Sequence, residues 1–166
     1  KKDDGGIIAC NQHGFEKVNA WIKAYSGQIK FSCLIDLDLP LKHAGVGLAR
    51  KVLGDLASQN FKSNNQNGII VYLDADCEVK ENYFQAISGF FEKFEFNAAA
   101  IHFEHKIFDA EQQRDIIEYE LHLRYYILMQ RYVNLPFAIH TVGSSMAVMS
   151  DTYIAKGGMN RRKAGE

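Results

Sequence analysis

Proline is scarce in this chain. Pro40 and Pro136 are the only two in 166 residues, so few positions forbid a continuous backbone ladder and regular elements can run long. Cysteine is too sparse for a disulfide framework. Cys10, Cys33 and Cys77 are odd in number, widely spaced and free of any Cys-x-x-Cys pattern. That excludes a stapled secreted scaffold or a thiolate zinc site and points to reduced thiols. A cytoplasmic setting is therefore expected, including the cytoplasmic face of a membrane. No apolar run approaches the ~20 residues of a membrane span, and the opening Lys1-Lys2-Asp3-Asp4 lacks the apolar stretch of a signal peptide. An excess of either charge is missing too. With 19 Lys and Arg against 20 Asp and Glu the net charge is -1, which provides no basic field, and no nucleic-acid partner is expected. Any phosphate site must be local.

What is present suits a packed core. At 47% hydrophobic and 23% charged, residues 1–166 fit a single globular domain. Helical and strand-like segments alternate, which argues an α/β fold. Phe15, Val18, Trp21, Ile22 and Tyr25 recur at helical spacing over 14–26, and Gly27 ends the pattern. Residues 29–37 read as a strand. Residues 45–58 read as a helix with Val46, Ala49, Val52, Leu53 and Leu56 inward, and the polar loop 63–68 leads into an apolar strand. A helix over 81–95 should bury Phe84, Ile87, Phe91 and Phe94, a strand should follow over 98–103, and 111–132 should be the longest helix. Its His122 and aromatic stripe read as packing. His102, His105 and His140 show no ligand spacing and read as structural or exposed.

Three constellations carry possible chemistry. The apolar run from Ile69 ends in Asp74-Ala75-Asp76-Cys77. Strand side chains alternate, so a strand carried through this run turns both carboxylates to one face. Two hard oxygen ligands at the carboxyl end of a buried strand suit Mg²⁺ or Mn²⁺ carrying a phosphate. A polar turn is the competing reading, because Asp favours turns and helix caps. Next, Lys42-His43-Ala44-Gly45-Val46-Gly47-Leu48-Ala49-Arg50 places glycines at a helix start with cations on either side, which suits an anion or a plain tight turn. Last come Gly143-Ser144-Ser145 and the stretch Gly157-Gly158-Met159-Asn160-Arg161-Arg162-Lys163-Ala164-Gly165-Glu166, small and basic residues that allow close approach to a polar ligand.

Taken in chain order, Lys-x-x-Gly-x-x-x-x-Arg, the strand into Asp-Ala-Asp-Cys, Gly-Ser-Ser before a strand, then Gly-Gly and Ala-Gly-Glu resemble a family 2 glycosyltransferase of GT-A fold from about Ile29 to Glu166. The resemblance implies a three-layer, Rossmann-like α/β sandwich with a mainly parallel sheet. On that resemblance residues 1–28 match poorly, and the chain is expected to be a partial catalytic domain with an incomplete fold. It implies transfer of a sugar from a UDP- or GDP-type donor to an acceptor hydroxyl, on a saccharide, a lipid-linked group or another carrier, with inversion and with Mn²⁺ or Mg²⁺. Asp76 matches the direct metal ligand and Asp74 a ribose contact or second metal ligand. Lys42, Gly45 and Arg50 match the lining of the nucleotide and diphosphate, and Gly143, Ser144 and Ser145 the floor of the donor-sugar and acceptor cleft. Glu166 matches the first residue of a Glu-Asp pair whose aspartate serves as base; Glu166 itself is a weaker base.

Two other functions fit parts of the pattern. A nucleotidyltransferase or pyrophosphatase also uses paired Asp and a basic glycine turn, and would release sugar phosphate. A nucleotide-sugar binding module without catalysis fits a chain whose ends depart from the family.

Overall fold

The computed structural model describes residues 6–35, 42, 45–109, 111 and 113–161. The chain divides into two compact units, residues 1–44 and 45–166.

In the first unit, helix α1 spans Gly6–Ala24. It begins well before the expected residue 14, because its first turns carry no apolar period to reveal them. Phe31 packs edge to face against Trp21 and Tyr25, with ring centroids 4.9 and 5.0 Å away, and folds the segment after the helix back on it. The expected strand over 29–37 is not formed at 29–35, and its last two residues lie outside those described.

The second unit runs α2 (Val46–Ser63), β1 (Ile69–Tyr72), α3 (Tyr83–Lys93), β2 (Ala98–Ala100), α4 (Arg114–Tyr132), β3 (Met146–Met149) and α5 (Ser150–Ala155). The chain is thus a mixture of helices and strands, but its sheet is not the expected mainly parallel one. Among the described residues, three strands lie in the order β1-β3-β2, and β3 is antiparallel to both neighbours. The reason is the point of re-entry. Met146 stands opposite Tyr72 and also opposite Ala100, so β3 starts at the edge where β1 and β2 finish and must run back between them. β1 and β2 keep a common direction, with α3 as the crossover that parallel strands require. Hydrophobic period does not encode which strand fills the gap.

The core is formed by Ile70, Tyr72 and Tyr153, with Ala57, Phe61, Met146, Val148 and Met159 packed around them. β1 buries alternate residues, Ile70 and Tyr72, as a sheet with one covered face does. Burying Ile70 contributes about 2 kcal/mol. The far end of the sheet is held by Ser150. Its N–H donates to the Gly68 carbonyl at 2.8 Å and its hydroxyl donates to Asn67 Oδ1 at 2.9 Å.

α2 packs with the face opposite to the one expected. Gly47, Arg50, Gly54 and Ser58 are buried, whereas Val46, Val52, Leu53 and Leu56 are exposed. Small residues at this spacing let the helix approach closely enough for two tyrosine hydroxyls to sit over Gly54. A Cβ there would run into the Tyr72 hydroxyl and stand 2.7 Å from that of Tyr153. In α3 only Ile87 of the expected apolar set is fully buried; Phe91 is half-buried, and Phe84 and Phe94 are exposed. His122 on α4 is exposed.

Candidate functional site

The carboxyl ends of β1 and β2 share one sheet edge with the start of β3, and most of the described candidate residues gather there. β1 stops at Tyr72, two residues before Asp74. The Cys77 N–H then donates to the Asp74 carbonyl at 3.1 Å, closing a turn through Ala75 and Asp76. The strand therefore does not carry through to Asp76, and the alternation that would aim both carboxylates at one face is lost. The polar-turn geometry holds, and it gives the two residues different surroundings.

Asp74 is bound to the protein. Arg50 Nη2 donates to its Oδ1 at 2.9 Å and its Oδ2 at 3.1 Å, joining α2 to the end of β1. The Arg50 side chain is 11% exposed and that of Asp74 45%. Asp76 is exposed and makes no hydrogen bond or ion pair among the described residues. A magnesium-type ion needs only one or two protein carboxylates when phosphate oxygens and water complete its shell. Asp76 fits that demand, whereas Asp74 is already neutralised. Among the described residues no cluster of three or more potential ligands occurs.

At the same edge, the Ser145 N–H donates to the Val142 carbonyl at 2.9 Å, which bends the chain into β3. Gly143 and Ser145 are buried and Ser144 is half-buried. The Ile101 N–H donates to the Ser145 carbonyl at 2.7 Å, so the segment after β2 lies directly beside Ser145. Lys106 and Glu78 form an ion pair that ties this segment to the loop after β1. Gly45 opens α2 in an extended conformation, φ 166°, and its carbonyl accepts from the Ala49 N–H at 3.2 Å. Lys42 is an exposed turn residue of the other unit. Arg162, Lys163 and Glu166 lie outside the described residues. Gly157 and Gly158 take left-handed φ of 80° and 76° and close α5, with N–H groups given to Ile154 and Tyr153 carbonyls.

Two polar clusters were not anticipated. Tyr153 donates to Asp55 Oδ1 at 2.9 Å, and Lys51 pairs with Asp55 at 3.0 Å. The Tyr72 hydroxyl beside them is buried without a hydrogen-bond partner. Burial, then the neighbouring Tyr153 hydroxyl and Asp55, push the Tyr72 phenol far above the usual tyrosine range, against the pull of Arg50. Glycine inside a helix was the available signal. The second cluster joins α4 to the segment after β2. Glu120, buried on α4, meets His105 Nδ1 at 2.6 Å, accepts the His105 N–H at 3.0 Å, and has Arg124 Nε at 3.5 Å. Burial pushes the Glu120 carboxyl up, but the His105 ring and backbone hydrogen bonds and the charges of His105 and Arg124 outweigh it and hold the pKa below the usual glutamate range. Glu120 and Arg124 are four apart on a helix, which the sequence displays; nothing near His105 marks it as their partner.

Compared with protein-family models, curated proteins and solved structures, the chain matches none.

Proposed function

We propose that this chain is part of a metal-dependent family 2 glycosyltransferase of GT-A fold, moving a sugar from a UDP or GDP donor to an acceptor hydroxyl with inversion. The observation that carries the reading is the register at Met146. It brings the segment after β1, which holds Asp74 and Asp76, next to Ser145 at the edge where Arg50 reaches down from α2. Ligands in open α/β sheets sit outside the carboxyl ends of strands. The β1-α3-β2 passage is also the crossover expected of such a fold.

Arg50 holds Asp74 as an anionic acceptor with a fixed direction, suited to hydroxyl donors such as those of a ribose. Asp76, exposed on the turn, would hold the cation, while Asp74 stays paired with Arg50. A bound Mg²⁺ or Mn²⁺ supplies neutralisation of the diphosphate as charge builds on it. Gly143 and Ser145, small and buried at this edge, would form the floor beneath the sugar. The three free cysteines, Cys10, Cys33 and Cys77, suit a reducing cytosolic setting. No helix among the described residues is long and apolar enough to cross a membrane.

The test is calorimetry of UDP- and GDP-sugars with and without Mn²⁺ or Mg²⁺, on this chain and on Asp76→Ala. Because Asp76 is exposed and unpaired, the variant keeps its fold. Binding should require the metal and fall at least about tenfold in the variant, as expected for loss of a metal-ligating carboxylate. Equal affinity in both proteins would overturn the metal assignment. Release of sugar phosphate instead of a glycosylated product would favour a nucleotidyltransferase or pyrophosphatase.

A further inference from the structure

Beyond the nucleotide site, a cleft of about 570 Å³ opens between the segment after β2 and one stripe of α4. Ile101, Phe103, Leu123, Ile127 and Ile139 line its body. Leu128 and Ile139, at 61% and 51% exposed, leave large apolar surfaces uncovered in it. Its volume matches a small-molecule pocket, and its apolar body is bordered by His102, Glu120, Arg124, Arg131 and His140.

The charges in the lining are uneven. Glu120 is consumed by His105 and Arg124, as described above, and Arg124 also approaches Glu104 at 4.0 Å. Arg131 lines the cleft and forms no ion pair among the described residues. Arg124 and Arg131 lie about 10 Å apart along the helix at ~1.5 Å per residue, with Ile127 and Leu128 between them. The cleft therefore offers an apolar floor ending in an unneutralised guanidinium.

We infer that this cleft binds a single amphipathic anion, a medium-length alkyl or acyl chain bearing a phosphate or carboxylate, with the chain on Phe103, Leu123 and Ile127 and the head on Arg131. Guanidinium groups pair with either head by two parallel hydrogen bonds. The occupant is one dispersed molecule lodged between two walls, not a bilayer surface. This site is independent of the sugar-transfer reading, since neither Asp76 nor a nucleotide takes part.

Decyl phosphate, kept below its micelle concentration, is the probe, followed by calorimetry and by chemical shifts of α4 amides. The chain should bind it one to one and bind inorganic phosphate at least about tenfold more weakly. Arg131→Gln, on an exposed side chain, should weaken decyl phosphate at least about tenfold while leaving decanol unchanged. Ile127→Trp, which fills the floor, should abolish both. Unchanged decyl phosphate affinity in Arg131→Gln would overturn the head-group assignment. Equal binding of inorganic phosphate, or association with anionic vesicles but not with the dispersed probe, would overturn the cleft itself. None of these outcomes bears on Asp76 or on nucleotide binding.

Discussion

Replacing Arg50 by Met should expose how much this sheet edge depends on the pair it makes with Asp74. Exposed ion pairs contribute about 0.2–1 kcal/mol, whereas breaking a fully buried pair costs about 3–5 kcal/mol. This pair lies between those limits, because Arg50 is 11% exposed and Asp74 45%. One guanidinium nitrogen reaches both carboxylate oxygens, which adds the strength of charge-assisted hydrogen bonds. After discounting for solvent around Asp74, we expect a coupling of about 1–2 kcal/mol. A double-mutant cycle with Arg50→Met and Asp74→Asn separates that coupling from whatever else each side chain touches. Urea unfolding is the assay. For a slope of about 2 kcal/mol per molar urea, each single variant should shift the midpoint down by roughly 0.5–1 M, and the double variant should lose little more. Additivity of the two single effects to within ~0.3–0.5 kcal/mol would refute the reasoning, because it would mean that the two side chains do not interact in solution.

Gly54→Ala should destabilise by about 1–2 kcal/mol, since overpacking against two tyrosine hydroxyls outweighs the helix-propensity gain. Tyr72→Phe should relieve it, and alone should be neutral or stabilising because it removes a buried hydroxyl without a partner; additive losses would contradict the crowding. Glu120 is more acidic folded than unfolded, so its contribution is full above the unfolded value of about 4.3 and disappears as pH falls through the folded one. Acid titration should show Glu120→Gln losing less stability below about pH 4 than the parent; identical slopes would contradict the assignment. Tyr72 has the opposite sign: its raised pKa favours the folded state below pH ~10, and that stability declines above it, a decline that Tyr72→Phe should not show.

Helices were legible because their period is local. α2, α3 and α4 fall within a few residues of where Val46 to Ser58, Phe84 to Phe94 and the stripe to Tyr132 place them. Which face packs was not legible for α2, because hydrophobicity favoured Val46, Leu53 and Leu56 while shape favoured Gly47, Gly54 and Ser58. Sheet direction was hidden for a different reason. Pairing joins residues far apart in sequence, and Met146 facing both Tyr72 and Ala100 leaves no mark in either strand. At the site, the residue types were visible but their division of labour was not. An Asp two residues from another reads as a convergent pair until the Cys77 to Asp74 hydrogen bond turns the chain and Arg50 claims the first carboxylate. The His105 and Glu120 contact was hidden because it joins a segment with no regular structure to a helix.

On the proposed function, a metal and a nucleotide diphosphate meet at the edge defined by Asp76 and Ser145. Titrating Mn²⁺ into the isotope-labelled chain with UDP, and recording paramagnetic broadening of backbone amides, tests it most directly. Broadening should begin at residues 73–77 and 144–146 and should vanish in Asp76→Ala. Broadening centred elsewhere, or unchanged in that variant, would contradict the account.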